Sequence, residues 1–539
     1  MASNVEESKN WTRWMTVPRI PVGVRVALIG AIGTTFFIVG VTLFFTWRSL
    51  IISLIHKQLR VVPGSETYRI WRDTPVPQYM NFYFFNWTNF DRLETQKPIF
   101  QEIGPYRFSV LEKKTNITHN SNGTITFRIM RYWHFDEANS VGPLEEEVYT
   151  LNTVAKTAAH SVRHWSTLLR RSLSVTMGAF GTKVYVKKPV GELLFDGYSD
   201  PLLETASKLP AFSGLEVPFD KFGWFYMRNG STEFDGLFNM DTGENGVEEF
   251  GILRRWNYYN STGFYDGNCG LVNGSAGELF PPNVKISKGV EMFSPDLCRS
   301  IKLNYVEDVK LHGLKGLKFA GDETTFDNGT LDESNSCFCS GDCSPTGVLN
   351  VTNCRFGAPG FVSFPHFHLA DPIYREEVDG MKPDPMKHTL YITLEPELGI
   401  PLDVAARFQI NILLSPDDTI KLFRNVPTIY FPMIWFEQRA SITPEMASEL
   451  RLALAIPTWN GYIAIGGLLV GSALVAWAVY TFTTKYQRLA TQLSAVEETQ
   501  DIPIGSLQNT YNEKDAKEKE SLLNRGSHQV AEVLPAKIC

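Results

Sequence analysis

The sequence predicts an α+β protein: a large β-dominated domain with a helical insertion, held between two membrane-spanning helices. Three observations carry this. Two apolar segments free of charge lie near the chain ends, at residues 26–47 and 459–484. Between them, short alternating apolar runs punctuated by Pro, Asn and Gly read as antiparallel strands. Within that interval one stretch, around 145–208, changes to helical spacing.

Val26 to Trp47 is rich in Val, Ile, Phe and Leu. At 1.5 Å per residue it covers about 33 Å, enough to cross a bilayer. A cleaved signal peptide is disfavoured, because the apolar core is too long and no small-x-small site follows it. In the second segment Gly461 to Phe482 is the most apolar part, and Trp459, Tyr462 and Trp477 are placed for the membrane interfaces. Lys485 and Arg488 follow this span, whereas Glu445 and Glu449 face only Arg451 before it, so the tail is expected in the cytosol.

Sequons decide the orientation of the rest. Asn86, Asn116, Asn122, Asn229, Asn260, Asn273, Asn328 and Asn350 each begin an N-x-[ST] triplet, and all eight lie between the spans. The expected organisation is a cytosolic N-terminus (1–25), a span (26–47), a luminal or extracellular domain (48–458), a second span (459–484) and a cytosolic tail (485–539).

Six of the seven cysteines, Cys269, Cys298, Cys337, Cys339, Cys343 and Cys354, share that interval with the sequons. An even count in an oxidising compartment reads as a disulfide framework, with 15 pairings open. Zinc at the C-x-C-x3-C run is disfavoured there, because thiolates are seldom free.

Within the exposed domain, Tyr79–Phe85 and Thr124–Ile129 read as strands. From Glu145 to about Leu173, Val148, Leu151, Val154, Ala155 and Ala158 recur at helical spacing, and further short helices are expected over 192–208. Strand patterns return from Phe212 to Phe431, as in Thr389–Leu394 and Ala406–Ile412, and Ser441–Leu454 reads as a helix leading into the second span. No repeat and no linker is visible, so one mixed domain is expected.

Composition narrows the function classes. Net charge is -7, and no phosphate-binding GxxxxGK[ST] loop occurs, so nucleic acid is not an expected partner. There is no G-x-S-x-G elbow, no kinase signature and no C-x-x-C pair. His160 and His164 lie four apart but lack the glutamate of H-E-x-x-H. No catalytic residues, metal or cofactor are expected.

Several segments in one order resemble the class B scavenger receptor family, of the fatty-acid translocase and lysosomal integral membrane protein type. They are Ile103-Gly104-Pro105-Tyr106-Arg107-Phe108, Glu192 to Pro201, Phe293 to Ile301, Gly347 to Asn350 with Cys354, and Ser363-Phe364-Pro365-His366-Phe367. The resemblance implies an antiparallel β-barrel core threaded by a lipid tunnel, with residues 145–208 as a helical cap. It also implies the pairs Cys269–Cys337, Cys298–Cys354 and Cys339–Cys343.

The function so implied is binding of lipid, fatty acid, sterol or lipoprotein and its transfer to the membrane through the tunnel. Residence at the plasma membrane and in endosomes and lysosomes goes with it. The alternative is a trafficking or adhesion receptor that binds a protein, such as a lysosomal hydrolase, at the cap. Arg163, Arg170 and Arg171, with Lys183, Lys187 and Lys188, make the cap basic and suited to anionic ligands. His160 and His164, expected on one helix face, suit proton sensing near pH 6. In the tail, Glu518 with Leu522 and Leu523 fits the acidic dileucine form read by clathrin adaptors.

Overall fold

The computed structural model describes residues 21–207, 219–339, 343–355 and 357–498. The chain opens with α1 (Val22–Gln58) and α2 (Glu66–Arg72), then strands β1 (Gln78–Trp87), β2 (Phe100–His119) and β3 (Thr124–Phe135). The insertion follows as β4 (Glu147–Leu151), α3 (Thr153–Ser161), α4 (Thr167–Ala179), β5 (Tyr185–Pro189) and α5 (Pro201–Ser207). Strands resume with β6 (Leu237–Asp241), β7 (Leu253–Trp256), β8 (Val290–Ser294), β9 (Arg299–Leu311), β10 (Leu314–Ala320), β11 (Val348–Asn350) and β12 (Gly360–Ser363). Short helices α6 (Ile373–Glu376) and α7 (Pro385–His388) precede β13 (Tyr391–Leu394), β14 (Pro401–Leu414), β15 (Ile429–Ser441) and the long α8 (Pro444–Glu498).

Two units result. One consists of the chain ends, residues 21–45 and 461–498 among those described. Both helices are long and apolar enough to cross a membrane. They touch through small residues: a methyl group on Gly33 would lie 2.8 Å from Leu474 Cβ, and one on Gly471 would lie 2.6 Å from the Phe37 nitrogen. Where lipid tails already surround both helices, such close backbone approach supplies the attraction that water would otherwise drive.

The other unit, Thr46–Asn460, is built on a 13-stranded antiparallel sheet. Its main order is β7-β6-β3-β2-β1-β15-β14-β13-β10-β9-β8, with β12 on β14 and β11 on β12. The first and last long strands are neighbours, from Gln78 opposite Ala440 to Phe84 opposite Ile434. The sheet curls until its edges nearly meet. Ser275 bridges them, paired with Ile252 beside β7 and with Met292 of β8. Leu253 N–H donates to Gly274 O at 2.8 Å, and Phe293 N–H donates to Ser275 O at 2.8 Å. Gly274 has φ +77°, and a Cβ there would lie 2.5 Å from Glu291 carbonyl atoms, so this strap requires glycine.

Alternation fills the interior. On β2, Tyr106, Phe108, Glu112 and Lys114 are buried while Leu111 and Lys113 are exposed. On β3 one face carries Ile125, Phe127, Ile129, Arg131 and Trp133 in turn. The first three belong to a smaller apolar cluster with Val61, Trp71, Phe238 and Phe293, whereas Trp133 belongs to the larger one. Arg131 therefore interrupts the apolar run. It meets Glu112 Oε2 at 2.7 Å and also pairs with Asp235, while Lys114 binds Glu112 and lies 2.6 Å from Glu278 Oε1. The larger cluster is aromatic, with Phe82 and Phe225 rings 4.9 Å apart and Phe108 and Phe195 rings 5.0 Å apart. Each such ring stabilises the fold by roughly 1.5–3 kcal/mol through burial.

The cysteines pair as Cys269–Cys337, Cys298–Cys354 and Cys339–Cys343, with Cα separations of 5.8, 6.2 and 5.2 Å.

Two local expectations change. The single helix read from Glu145 to Leu173 is a strand followed by two helices, because β4 pairs with β5 and Trp165 N–H closes a turn on Val162 O. Ahead of the strand read at Tyr79–Phe85 lies a helix the sequence reading does not include, α2, which Ser65 caps by accepting from the Tyr68 N–H at 3.1 Å.

Candidate functional site in the cap

Positions 148–191 hold seven Lys and Arg residues and no Asp or Glu. The elements of the insertion expected to form a cap, β4, α3, α4 and β5, display this charge. β4 and β5 form a two-stranded ribbon, Glu147 opposite Pro189 and Leu151 opposite Tyr185. It is moored to the sheet by Asn86 of β1, whose Oδ1 accepts from Tyr149 N–H at 2.9 Å, and by Phe90 stacked on Tyr149 at 4.0 Å.

Helix α3 begins at Asn152, whose side chain accepts from the Ala155 N–H at 3.0 Å. Val154, Ala155 and Ala159 are buried, and so is Lys156, only 4% exposed. Its ammonium donates to Ser415 Oγ at 3.0 Å and lies 5.4 Å from the Phe423 ring centroid. Burial pushes its pKa down to about 8, against the pull of Asp417. Lys156 was not among the residues singled out from sequence. The available signal was a lysine in an apolar run with no acid three or four places away.

His160 and His164 do not share a helix face. Helix α3 ends at Ser161, and Arg163 N–H bonds back to His160 O at 3.2 Å. Burial, reinforced by the charges of Arg163, Lys156 and His164, pushes the His160 pKa down to about 4. His160 is therefore neutral well below pH 6, and the proton sensing expected of the pair does not fall on it. His164 is exposed.

Arg170 is committed. One of its nitrogens reaches both Asp417 oxygens at 2.9 Å, and Asp417 in turn accepts from the N–H groups of Thr419 and Ile420 at 2.9 and 3.0 Å. On β5, Lys187 pairs with Glu147 and Lys188 lies 3.3 Å from Glu192. Arg163 and Arg171 are exposed and have no ion-pair partner among the described residues. Next to Arg171, α4 turns apolar groups outward: Leu168 is 75% and Val175 72% exposed, with Leu169 and, just past the helix end, Phe180 also exposed. An apolar ledge rimmed by guanidinium groups suits an anionic amphiphile, whose tail covers the leucines while its head meets arginine.

Other candidate residues lie elsewhere. Asn116, Asn122, Asn229, Asn260 and Asn273 are exposed, whereas Asn86, Asn328 and Asn350 are partly buried. Glu518, Leu522 and Leu523 fall outside the described residues. Among the described residues no group of three or more His, Cys, Asp or Glu could hold a metal ion.

The Ser-Phe-Pro-His-Phe segment forms a polar knot outside the cap. His366 adopts φ 55°, ψ 26° and is held by Gln409, whose Oε1 accepts its N–H at 2.6 Å. Its Nδ1 accepts from Lys382 N–H at 3.0 Å, which leaves Nε2 to donate to Glu102 Oε2 at 2.6 Å. Trp435 Nε1 donates to the same oxygen at 2.7 Å. Burial raises the Glu102 pKa, but these two bonds outweigh it and hold the carboxyl below its ordinary value.

Residues 31–482 match the CD36 family. The chain belongs to that family. This CD36-family chain is similar to protein peste of Drosophila melanogaster, 38% identical over 441 residues that cover 81% of this chain and 78% of that protein. It is 30% identical over 433 residues to scavenger receptor class B member 1 of Bos taurus, covering 80% of this chain and 84% of the relative. Human lysosome membrane protein 2 is 32% identical over 403 residues, covering 74% and 82% respectively. Both α1 and α8 enter the CD36-family match, so it includes the terminal helices as well as the sheet.

Proposed function

We propose that this chain is a membrane receptor that captures lipid or lipoprotein ligands on the cap and passes lipid to the bilayer through the interior of the barrel. The observation that carries this is the outward side of α4, where Leu168, Leu169 and Val175 stand exposed with Arg171, and Phe180 just past the helix end is exposed as well. Membership of a family that contains scavenger receptors of class B supports the ligand class. Capture and transfer need no bond making, because a shielded path removes the cost of apolar surface in water, about 25 cal/mol per Å². No catalytic role is proposed.

The proposal places both termini in the cytosol and the sheet on the luminal or extracellular side, with residence at the plasma membrane and in endosomes and lysosomes. Similarity to a lysosome membrane protein supports the second location. A clathrin adaptor bound at Glu518, Leu522 and Leu523 would carry the receptor between them.

The test is uptake of fluorescent fatty acid and of labelled lipoprotein by cells expressing the full chain. Leu168→Asp with Val175→Asp should abolish the gain over untransfected cells at equal surface expression. Unchanged uptake would sink the reading. The same exposed face also suits a protein ligand; retained lipid uptake, with a protein partner lost on this double variant, would favour that alternative.

A further inference from the structure

Away from the cap, the outer face of β1, β2 and β15 holds a cleft of about 280 Å³ lined by Pro77, Tyr79, Asn81, Arg107, Arg439 and Ser441. Register places Asn81 opposite Arg107 on one side and opposite Glu437 on the other, with Tyr79 opposite Arg439 in the adjacent row. Two guanidinium groups from different strands thus frame one space. The Arg107 guanidinium lies 3.8 Å from the Tyr79 ring centroid, which fixes its plane.

The Arg107 side chain makes no hydrogen bond to the carboxylates around it, and Arg439 makes only long ones, through Nη2 to Asp403. Arg107 Nε is buried without a hydrogen bond, and Asp136 Oδ2 stands off at 3.6 Å. Arg439 reaches Asp403 only at 3.3 and 3.4 Å and Glu437 at 3.9 Å. Those acids have closer partners. Asp403 accepts the Tyr391 hydroxyl at 2.7 Å, and Glu437 Oε1 accepts two bonds from Arg407 at 2.9 and 2.7 Å. Glu437 Oε2 accepts from Asn81 Nδ2 at 2.9 Å, which orients that amide and leaves its Oδ1 buried with no donor.

The cleft therefore presents an unfilled guanidinium at Arg107, a weakly bonded one at Arg439, and one unfilled acceptor, Asn81 Oδ1, for a hydroxyl or ammonium group. We propose that it binds a phosphoryl group carried on a small polar headgroup, with the phosphoryl oxygens between Arg107 and Arg439 and a headgroup donor on Asn81. Planar guanidinium forks match tetrahedral oxyanions, and a volume near 280 Å³ holds more than a bare phosphate. The site is separate from the cap ledge and goes beyond the receptor reading.

The experiment is calorimetric titration of the full chain in detergent with sn-glycerol 3-phosphate and, separately, with short-chain phosphatidylglycerol below its micelle concentration. Binding of both, or of the glycerol phosphate alone, assigns the site to the phosphoryl headgroup itself; binding of the phosphatidylglycerol alone assigns it to a lipid. Either supports the proposal when Arg439→Gln weakens binding by tenfold or more and Arg439→Lys only partly restores it. Arg439 is half exposed, so its variants should melt as the parent does, and Tyr79→Phe, which keeps the ring, should bind normally. The proposal is overturned if neither probe binds the parent protein, or if Arg439→Gln and Arg107→Gln both bind as the parent does. Fatty-acid uptake through the cap should be unaffected by Arg439→Gln, so failure here and failure of the receptor reading are separable.

Discussion

Glu278 and His388 give this protein opposing pH responses. Burial, partly offset by the nearby Lys114 charge, pushes the Glu278 pKa up to about 8 from 4.5. A carboxyl raised on folding adds stability that is complete below about pH 4.5 and is lost as pH rises toward 8. Glu278→Gln should therefore flatten the fall in melting temperature between those limits; parallel profiles for variant and parent would refute it. His388 is the reverse case. Burial, and then the neighbouring His366, push it down to about 4 from 6.5, so folding disfavours its protonation. Its neutral form stabilises the fold above pH 6.5, and that term is lost as pH falls toward 4. His388→Asn should lose less melting temperature than the parent between pH 6.5 and 4.

At the scale of single elements, α4 and α3 separate binding from stability. Leu168 and Val175 face outward, so their replacement by Asp should change stability by no more than about 0.5 kcal/mol while removing ligand capture. Ala155 of α3 is fully buried, and Ala155→Leu should overpack the cap and cost about 1–3 kcal/mol by thermal or denaturant unfolding. The alternating strands were legible because each inward residue meets the same apolar interior, as Phe82 and Phe84 do on β1. The break between α3 and α4 was not, because Val162 to Trp165 continue the helical spacing and a turn of ordinary residues leaves no glycine or proline to mark it. Lys156 was missed for a related reason. Its partner Ser415 lies 259 residues away, and only the folded chain brings them together.

Across the whole molecule, the cross-links and sequons test the assembled domain. Cys298–Cys354 spans 56 positions and Cys339–Cys343 only 4. In the chain-entropy account, removing the first by a double Cys→Ser change should cost about 4 kcal/mol and the second about 2 kcal/mol. Equal losses in denaturant titrations would contradict that ordering. Glycopeptide mass spectrometry should find Asn116, Asn122 and Asn260 occupied more fully than Asn86, whose amide oxygen is taken up by the cap ribbon. The closure of the sheet was implied by the family resemblance and by no local pattern, because one bridging residue has no periodicity.

That bridging residue also belongs to a sequon. Asn273-Gly274-Ser275 offers its hydroxyl to the glycosylation machinery only while the strap is loose. Once β7 and β8 are bridged, Ser275 is wholly buried and its Oγ donates to Leu279 O at 2.5 Å. Any glycan on Asn273 must be attached before the edges meet, so its occupancy records which came first during synthesis, the sugar or the ring.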